Sequence, residues 1–145
     1  MREVMGGSER GMESKPRDIR ERSIAYAVRA IRLYRALEGR RDGAARVVGK
    51  QFLRSATSIG ANIQEAQSAE SRADFIHKYG IAQKEAKESL YWLQLIRESE
   101  LLPKERLTDI SRETEELYAV ITAIIVNAKR KAAAQRTNSG VDTPG

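Results

Sequence analysis

Apolar residues recur along this chain at spacings of three and four, in four stretches set apart by glycine, proline and charge. An α-helix turns once in about 3.6 residues, so this spacing puts the apolar side chains on one face. The first stretch runs from about Pro16 to Glu38. Ile24, Val28, Ile31 and Leu37 form its apolar stripe, with Ala27 and Tyr34 beside them and Arg20, Arg22, Arg29, Arg32 and Arg35 over much of the remainder. Pro16 suits a first helical position, and Gly39 supplies the stop.

The second stretch spans about Ala44 to Ala69, with Val48, Phe52, Ala56, Ile59, Ile63 and Ala66 in line. Gly49 and Gly60 interrupt it, each costing up to about 1 kcal/mol against alanine in a helix. Glycine inside a helix is reasonable where another helix approaches closely. The third stretch, about Arg72 to Ser99, has Ser71 as a cap and Asp74 three residues on, an approximate capping box. Phe75, Tyr79, Ala82, Ala86, Ser89, Leu93 and Ile96 make its inward stripe. Pro103 forces a break, because the residue before proline avoids helical angles. The fourth stretch runs from about Pro103 to Ala134, through Leu107, Ile110, Thr114, Leu117, Ile121, Ile124 and Ala128. Tyr118, Ile125 and Val126 widen that stripe, as if toward a second partner surface.

No segment alternates with the period of a strand. Four helices joined by short turns predict an all-α, antiparallel up-down-up-down four-helix bundle over residues 16–136. Residues 1–15 are expected to be a disordered N-terminal segment and residues 137–145 a flexible polar tail.

Composition narrows the function classes. The 145 residues suit one domain. There is no cysteine, which excludes disulfides and thiolate metal sites. Residues 1–15 lack the apolar core of a signal peptide, and the apolar run 119–126 is too short to span a bilayer, so a cytoplasmic protein is expected. The net charge is +6 and its excess is local: residues 1–43 carry eleven Lys/Arg against seven Asp/Glu. A basic first helix and loop favour an acidic partner such as nucleic acid, although such an excess also serves ordinary solubility.

Two segments carry a resemblance. Gln51-Phe52-Leu53-Arg54-Ser55-Ala56, followed by Ser58-Ile59 and then Asn62-Ile63 and Glu65, resembles the second helix of the small four-helix-bundle proteins encoded in intervening sequences of bacterial 23S ribosomal RNA genes. Lys84-Glu85-Ala86, Glu88-Ser89 and Tyr91-Trp92-Leu93 are similar to that family's third helix. Ala66 stands where many relatives carry glycine, which suggests a slightly longer second helix here. The resemblance implies a homopentameric ring of bundles. It also implies kinship with the accessory protein of diversity-generating retroelements, a basic pentamer that associates with reverse transcriptase and nucleic acid.

The residues themselves offer few sites for chemistry. Asn62 and Ser89 lie on or near inward stripes and are read as a structural polar core that hydrogen-bonds along or across the bundle. Arg29, Arg32, Arg35, Arg40 and Arg41 form the nucleic-acid-binding candidate, suited to salt-sensitive phosphate contacts. Arg72 and His77 match the Arg-x4-His spacing of helical-bundle ribonucleases of the HEPN type, where histidine moves a proton and arginine holds a phosphate. Ala73 departs from that motif, which usually has a polar residue there. A di-metal bundle needs a second carboxylate–histidine pair, and the chain has one histidine, so no metal and no cofactor are expected. Glu65, Glu85 and Glu88 read as an ion-pair face with Lys84 and Lys87, and Tyr91 and Trp92 as packing residues before base-stacking ones. The favoured reading is a non-enzymatic, self-assembling scaffold or accessory protein that binds RNA or a nucleic-acid enzyme. The alternatives are a ribonuclease using Arg72 and His77, and a protein-binding adaptor using the outer face of the fourth helix.

Overall fold

The computed structural model describes residues 18–140, which form four helices in order: α1 Ile19–Glu38, α2 Gly43–Ala66, α3 Arg72–Glu98 and α4 Thr108–Gly140. No strand occurs among the described residues. Each helix packs on the next, and α1 returns against α4 in a less extensive contact. Short turns oblige neighbours to run antiparallel, so the predicted up-down-up-down bundle is the observed one.

The helix ends follow from local hydrogen bonding. Asp18 caps α1 by accepting from Arg20 N at 3.1 Å, and the helix starts at Ile19; Pro16, the expected first residue, lies outside the described residues. Asp42 caps α2, accepting from Ala44 N at 2.8 Å. Ser71 caps α3 as expected, accepting from Asp74 N at 3.0 Å, and the Asp74 carboxylate reaches back to Glu70 N at 3.3 Å. The extended α2 does not materialise. It stops at Ala66, and the amides of Gln67, Ser68 and Ala69 tighten onto carbonyls three residues back, at 3.0–3.2 Å. Gly39 also behaves differently from expectation: it stays right-handed at φ −66°, and the left-handed residue of that turn is Arg41, at φ 55°. Lys104–Arg106 form a single 3₁₀ turn before α4. At its far end α4 continues to Gly140, beyond the expected Ala134 and into the segment expected to be a flexible tail. The expected disordered segment 1–15 and residues 141–145 lie outside the described residues.

The inward stripes of α2, α3 and α4 are largely those read from the pattern. Val48 and Phe75 are half-buried, and Ile125 takes the fully buried place assigned to Ile124. The stripe of α1 is the exception. Ser23, Tyr26, Ala30, Leu33 and Leu37 face inward, while Ile24, Val28 and Ile31 point out with 55%, 40% and 38% of their surface exposed. The cause lies in the seam with α2. A Cβ placed on Gly60 would sit 3.2 Å from Ser23 Oγ, and one on Gly49 would sit 3.2 Å from Leu37 Cδ1 and Tyr34 Cδ2. The two backbones approach closely there, and Ser23 is the small residue that the approach admits. Isoleucine in that position would overpack the seam.

Two buried hydroxyl pairs cross the interior. Tyr26 Oη meets Thr114 Oγ1 at 2.7 Å between α1 and α4, and Ser55 Oγ meets Ser89 Oγ at 2.9 Å between α2 and α3. Thr114 Oγ1 also lies 2.6 Å from the Ile110 carbonyl. Its single proton goes there, so Tyr26 is the donor to Thr114. Burial pushes the Tyr26 phenol up to about 12.

Candidate nucleic-acid and assembly surface

The outer face of α1 carries two features side by side. Ile24, Val28 and Ile31 step by four and three, so they form one continuous apolar stripe. Arg29, Arg32 and Arg35 step by three, so they fan across about a third of the circumference.

Arg29 and Arg32 line a shallow cleft of about 210 Å³ with Leu33, Ile110 and Arg106. Arg106 had no signal in the sequence, because it sits in the 3₁₀ turn, far along the chain from α1. Arg40 and Arg41 lie in the α1–α2 turn, at the same end of the bundle as Arg106. None of these six arginines makes an ion pair among the described residues. Arg20 and Arg22 are different. Arg20 pairs with Asp18 at 2.7 Å, and Arg22 bridges to Glu113 at 3.1 Å and Glu116 at 2.9 Å on α4.

The two residues of the predicted polar core separate. Ser89 is fully buried and spans two helices through Ser55. Asn62 is half-buried and donates to the Ser58 carbonyl of its own helix at 2.8 Å. Thr114 is buried on the inward stripe where periodicity places it, and the structure adds Ser23, Ser55 and Tyr26 to the interior polar groups. These three lie off the apolar stripes of the sequence, so periodicity gave no warning of them.

Arg72 and His77 do not converge. Five residues on a helix turn the side chains about 140° apart and shift them about 7.5 Å along the axis. His77 is exposed, and Arg72 faces a cleft that His77 does not line. Among the described residues, no group of three or more His, Asp or Glu side chains is placed to hold a metal ion.

The carboxylates are partnered, though not by the lysines expected. Arg54 of α2 reaches Glu85 at 3.3 Å and Glu88 at 2.6 Å on α3, and Trp92 Nε1 donates to Glu88 at 3.1 Å. The hydrogen bond from Arg54 holds the Glu88 carboxyl below its ordinary range. Lys78 pairs with Glu65 at 2.9 Å. Lys87 instead lies over the Tyr118 ring, 4.9 Å from its centroid. Tyr91 is exposed and packs edge-on against half-buried Trp92, with centroids 5.0 Å apart. Of the residues that widen the α4 stripe, Ile125 is buried and Val126 is exposed.

Arg54, Ser55, Glu85, Glu88, Ser89 and Trp92 are among the positions that carry the family resemblance, and together they clasp α2 to α3. The fold and this clasp define a class: a small all-α bundle whose most distinctive polar residues hold helices together. The 23S rRNA-intervening sequence protein family matches residues 15–123, and the chain belongs to it. A crystal structure of a protein with unknown function from the S23 ribosomal protein family of Bacteroides thetaiotaomicron is 42% identical. The alignment covers 74% of this chain and 98% of that one, with a TM-score of 0.70. Among curated proteins none matches. No helix among the described residues is long and apolar enough to cross a membrane.

Proposed function

We propose that the protein is a non-enzymatic, cytoplasmic scaffold or accessory protein that self-associates and binds RNA, or a nucleic-acid enzyme together with its RNA, through a basic surface. The observation that carries this reading is the outer face of α1, where an exposed Ile24–Val28–Ile31 stripe runs beside arginines that lack ion-pair partners among the described residues. An apolar stripe of three large residues on one helix favours burial against another protein surface. A second copy of the chain fits, and five copies is the number the resemblance implies. Assembly would repeat the arginines around the particle and raise the local potential, which favours phosphate contacts independent of sequence. Arg72 faces a cleft that His77 does not line, which supports this reading over a ribonuclease.

Native mass and RNA binding test both halves. The wild-type chain should run as an oligomer, and an Ile24→Ser/Val28→Ser/Ile31→Ser variant should dissociate while remaining helical. RNA affinity should fall steeply with salt, and Arg29→Ser/Arg32→Ser/Arg35→Ser should flatten that dependence by about two to three contacts per chain. A monomeric wild type, or RNA binding indifferent to both salt and these arginines, refutes the proposal.

A further inference from the structure

We infer that the cleft at the α2–α3 end of the bundle binds a nucleoside monophosphate, free or as the phosphorylated end of an RNA strand. The cleft encloses about 510 Å³, within the range of about 300–1,000 Å³ typical of small-molecule sites. It lies at the opposite end from Arg40, Arg41 and Arg106. Three elements build it: Gln67 comes from the α2–α3 turn, Arg72 and Phe75 from the start of α3, and Ile124, Asn127 and Lys131 from α4. The family match ends at residue 123, so the α4 wall belongs to the part of this chain beyond it.

The lining has the three chemistries that a nucleotide presents. Arg72 and Lys131 stand on different helices, and neither has an ion-pair partner among the described residues. The neighbouring Asp74 carboxylate is occupied by the Glu70 amide and lines no part of the cleft. Two cations from separate walls suit a phosphate dianion. Asn127 carries a paired donor and acceptor, as the edge of a base does, and Gln67, whose amide donates to the Ile63 carbonyl at 3.4 Å, keeps a second N–H. Phe75 supplies an aromatic surface backed by Tyr79, with ring centroids 4.7 Å apart, and aromatic surfaces of this kind stack bases. Inorganic phosphate and an aliphatic carboxylate can accept hydrogen bonds from the carboxamides, but both would leave the aromatic face unused.

The free-nucleotide source stands apart from the proposed RNA surface, whereas the strand-end source rests on it. Calorimetric titration of the full chain with adenosine 5′-monophosphate, adenosine and inorganic phosphate, at fixed ionic strength, tests the site. The monophosphate should bind at least tenfold tighter than either fragment. Arg72→Gln/Lys131→Gln should weaken it tenfold or more with an unchanged urea midpoint, and Phe75→Leu should weaken adenosine and monophosphate alike. The Arg29→Ser/Arg32→Ser/Arg35→Ser variant should bind the monophosphate as wild type does, which separates this site from the α1 surface. Oligoribonucleotides with and without a 5′-phosphate distinguish the sources: preference for the phosphorylated strand assigns a strand end, and equal weak binding beside a tight monophosphate assigns the free nucleotide. No monophosphate binding at millimolar concentration, phosphate binding as tightly as the monophosphate, or an unaffected Arg72/Lys131 variant overturns the inference.

Discussion

Gly60→Ala probes the seam that turns the α1 stripe outward. Alanine is favoured over glycine within a helix by about 1 kcal/mol, so an unconstrained site would gain stability. Here the added methyl would sit 3.2 Å from Ser23 Oγ, 3.4 Å from Ser23 Cβ and 3.5 Å from the Ser23 carbonyl. The nearest atom cannot swing away freely, because Ser23 Oγ donates to the Arg20 carbonyl at 2.8 Å. Relief requires α1 to shift, and overpacking of this kind costs about 1–3 kcal/mol. The net expectation is a loss of up to about 2 kcal/mol. Gly49→Ala is the internal control. Its methyl would meet Leu37 Cδ1 and Tyr34 Cδ2 at 3.2 Å, the outer atoms of side chains that can adjust, so it should be neutral or slightly stabilising. Ser23→Ala deletes the closest obstacle to Gly60→Ala and leaves contacts of 3.4 Å and beyond. The double variant should therefore recover about 1 kcal/mol relative to the sum of the singles. Urea unfolding followed by helical circular dichroism measures the four variants against wild type. Gly60→Ala matching or exceeding wild-type stability, with no coupling to Ser23, would refute the close-approach account of why α1 faces as it does.

Alkaline pH should expose the buried phenol. Tyr26 ionises near pH 10 when unfolded and is pushed up to about 12 when folded, so the folded state retains the proton between those values. Its contribution to stability should be flat below about pH 10 and decline by up to about 3 kcal/mol toward pH 12, and Tyr26→Phe should lack that component of the decline. Glu100 holds a left-handed φ of 57° at the end of α3, where Leu101 N bonds to the Ile96 carbonyl at 3.0 Å. Glu100→Gly should raise stability by about 0.5–1 kcal/mol in urea, since the relieved strain exceeds the entropy that glycine adds to the unfolded chain. Arg54→Met should cost about 1 kcal/mol, a modest amount because the pair is half-exposed. It should also move Glu88 back toward the ordinary carboxylate range by NMR titration. Acid then removes less stability from the variant than from wild type, whose depressed Glu88 contributes only while ionised.

Much of this architecture is legible in the chain because each signal is local. Spacings of three and four identify four helices, Ser71 and Pro103 mark ends, and the polar positions of α2 and α3 are specific enough to place the family. The limits are equally physical. On α1, both Ile24–Val28–Ile31 and Tyr26–Ala30–Leu33–Leu37 have helical spacing, so periodicity supports either face. The choice is made at Gly60, whose close contact admits α1 only with a small residue, Ser23, against it. Arg29 and Arg32 are readable as cations on a helix, but their company with Arg106 depends on how α4 returns. Arg72 and Lys131 face one cleft although they stand 59 positions apart in the chain. By itself the sequence determined the helices, their antiparallel order and the basic character of α1, because these depend on near neighbours in the chain. Only the tertiary structure decided which face of α1 meets solvent and which distant side chains share a cleft, because those outcomes depend on how closely separate backbones can approach.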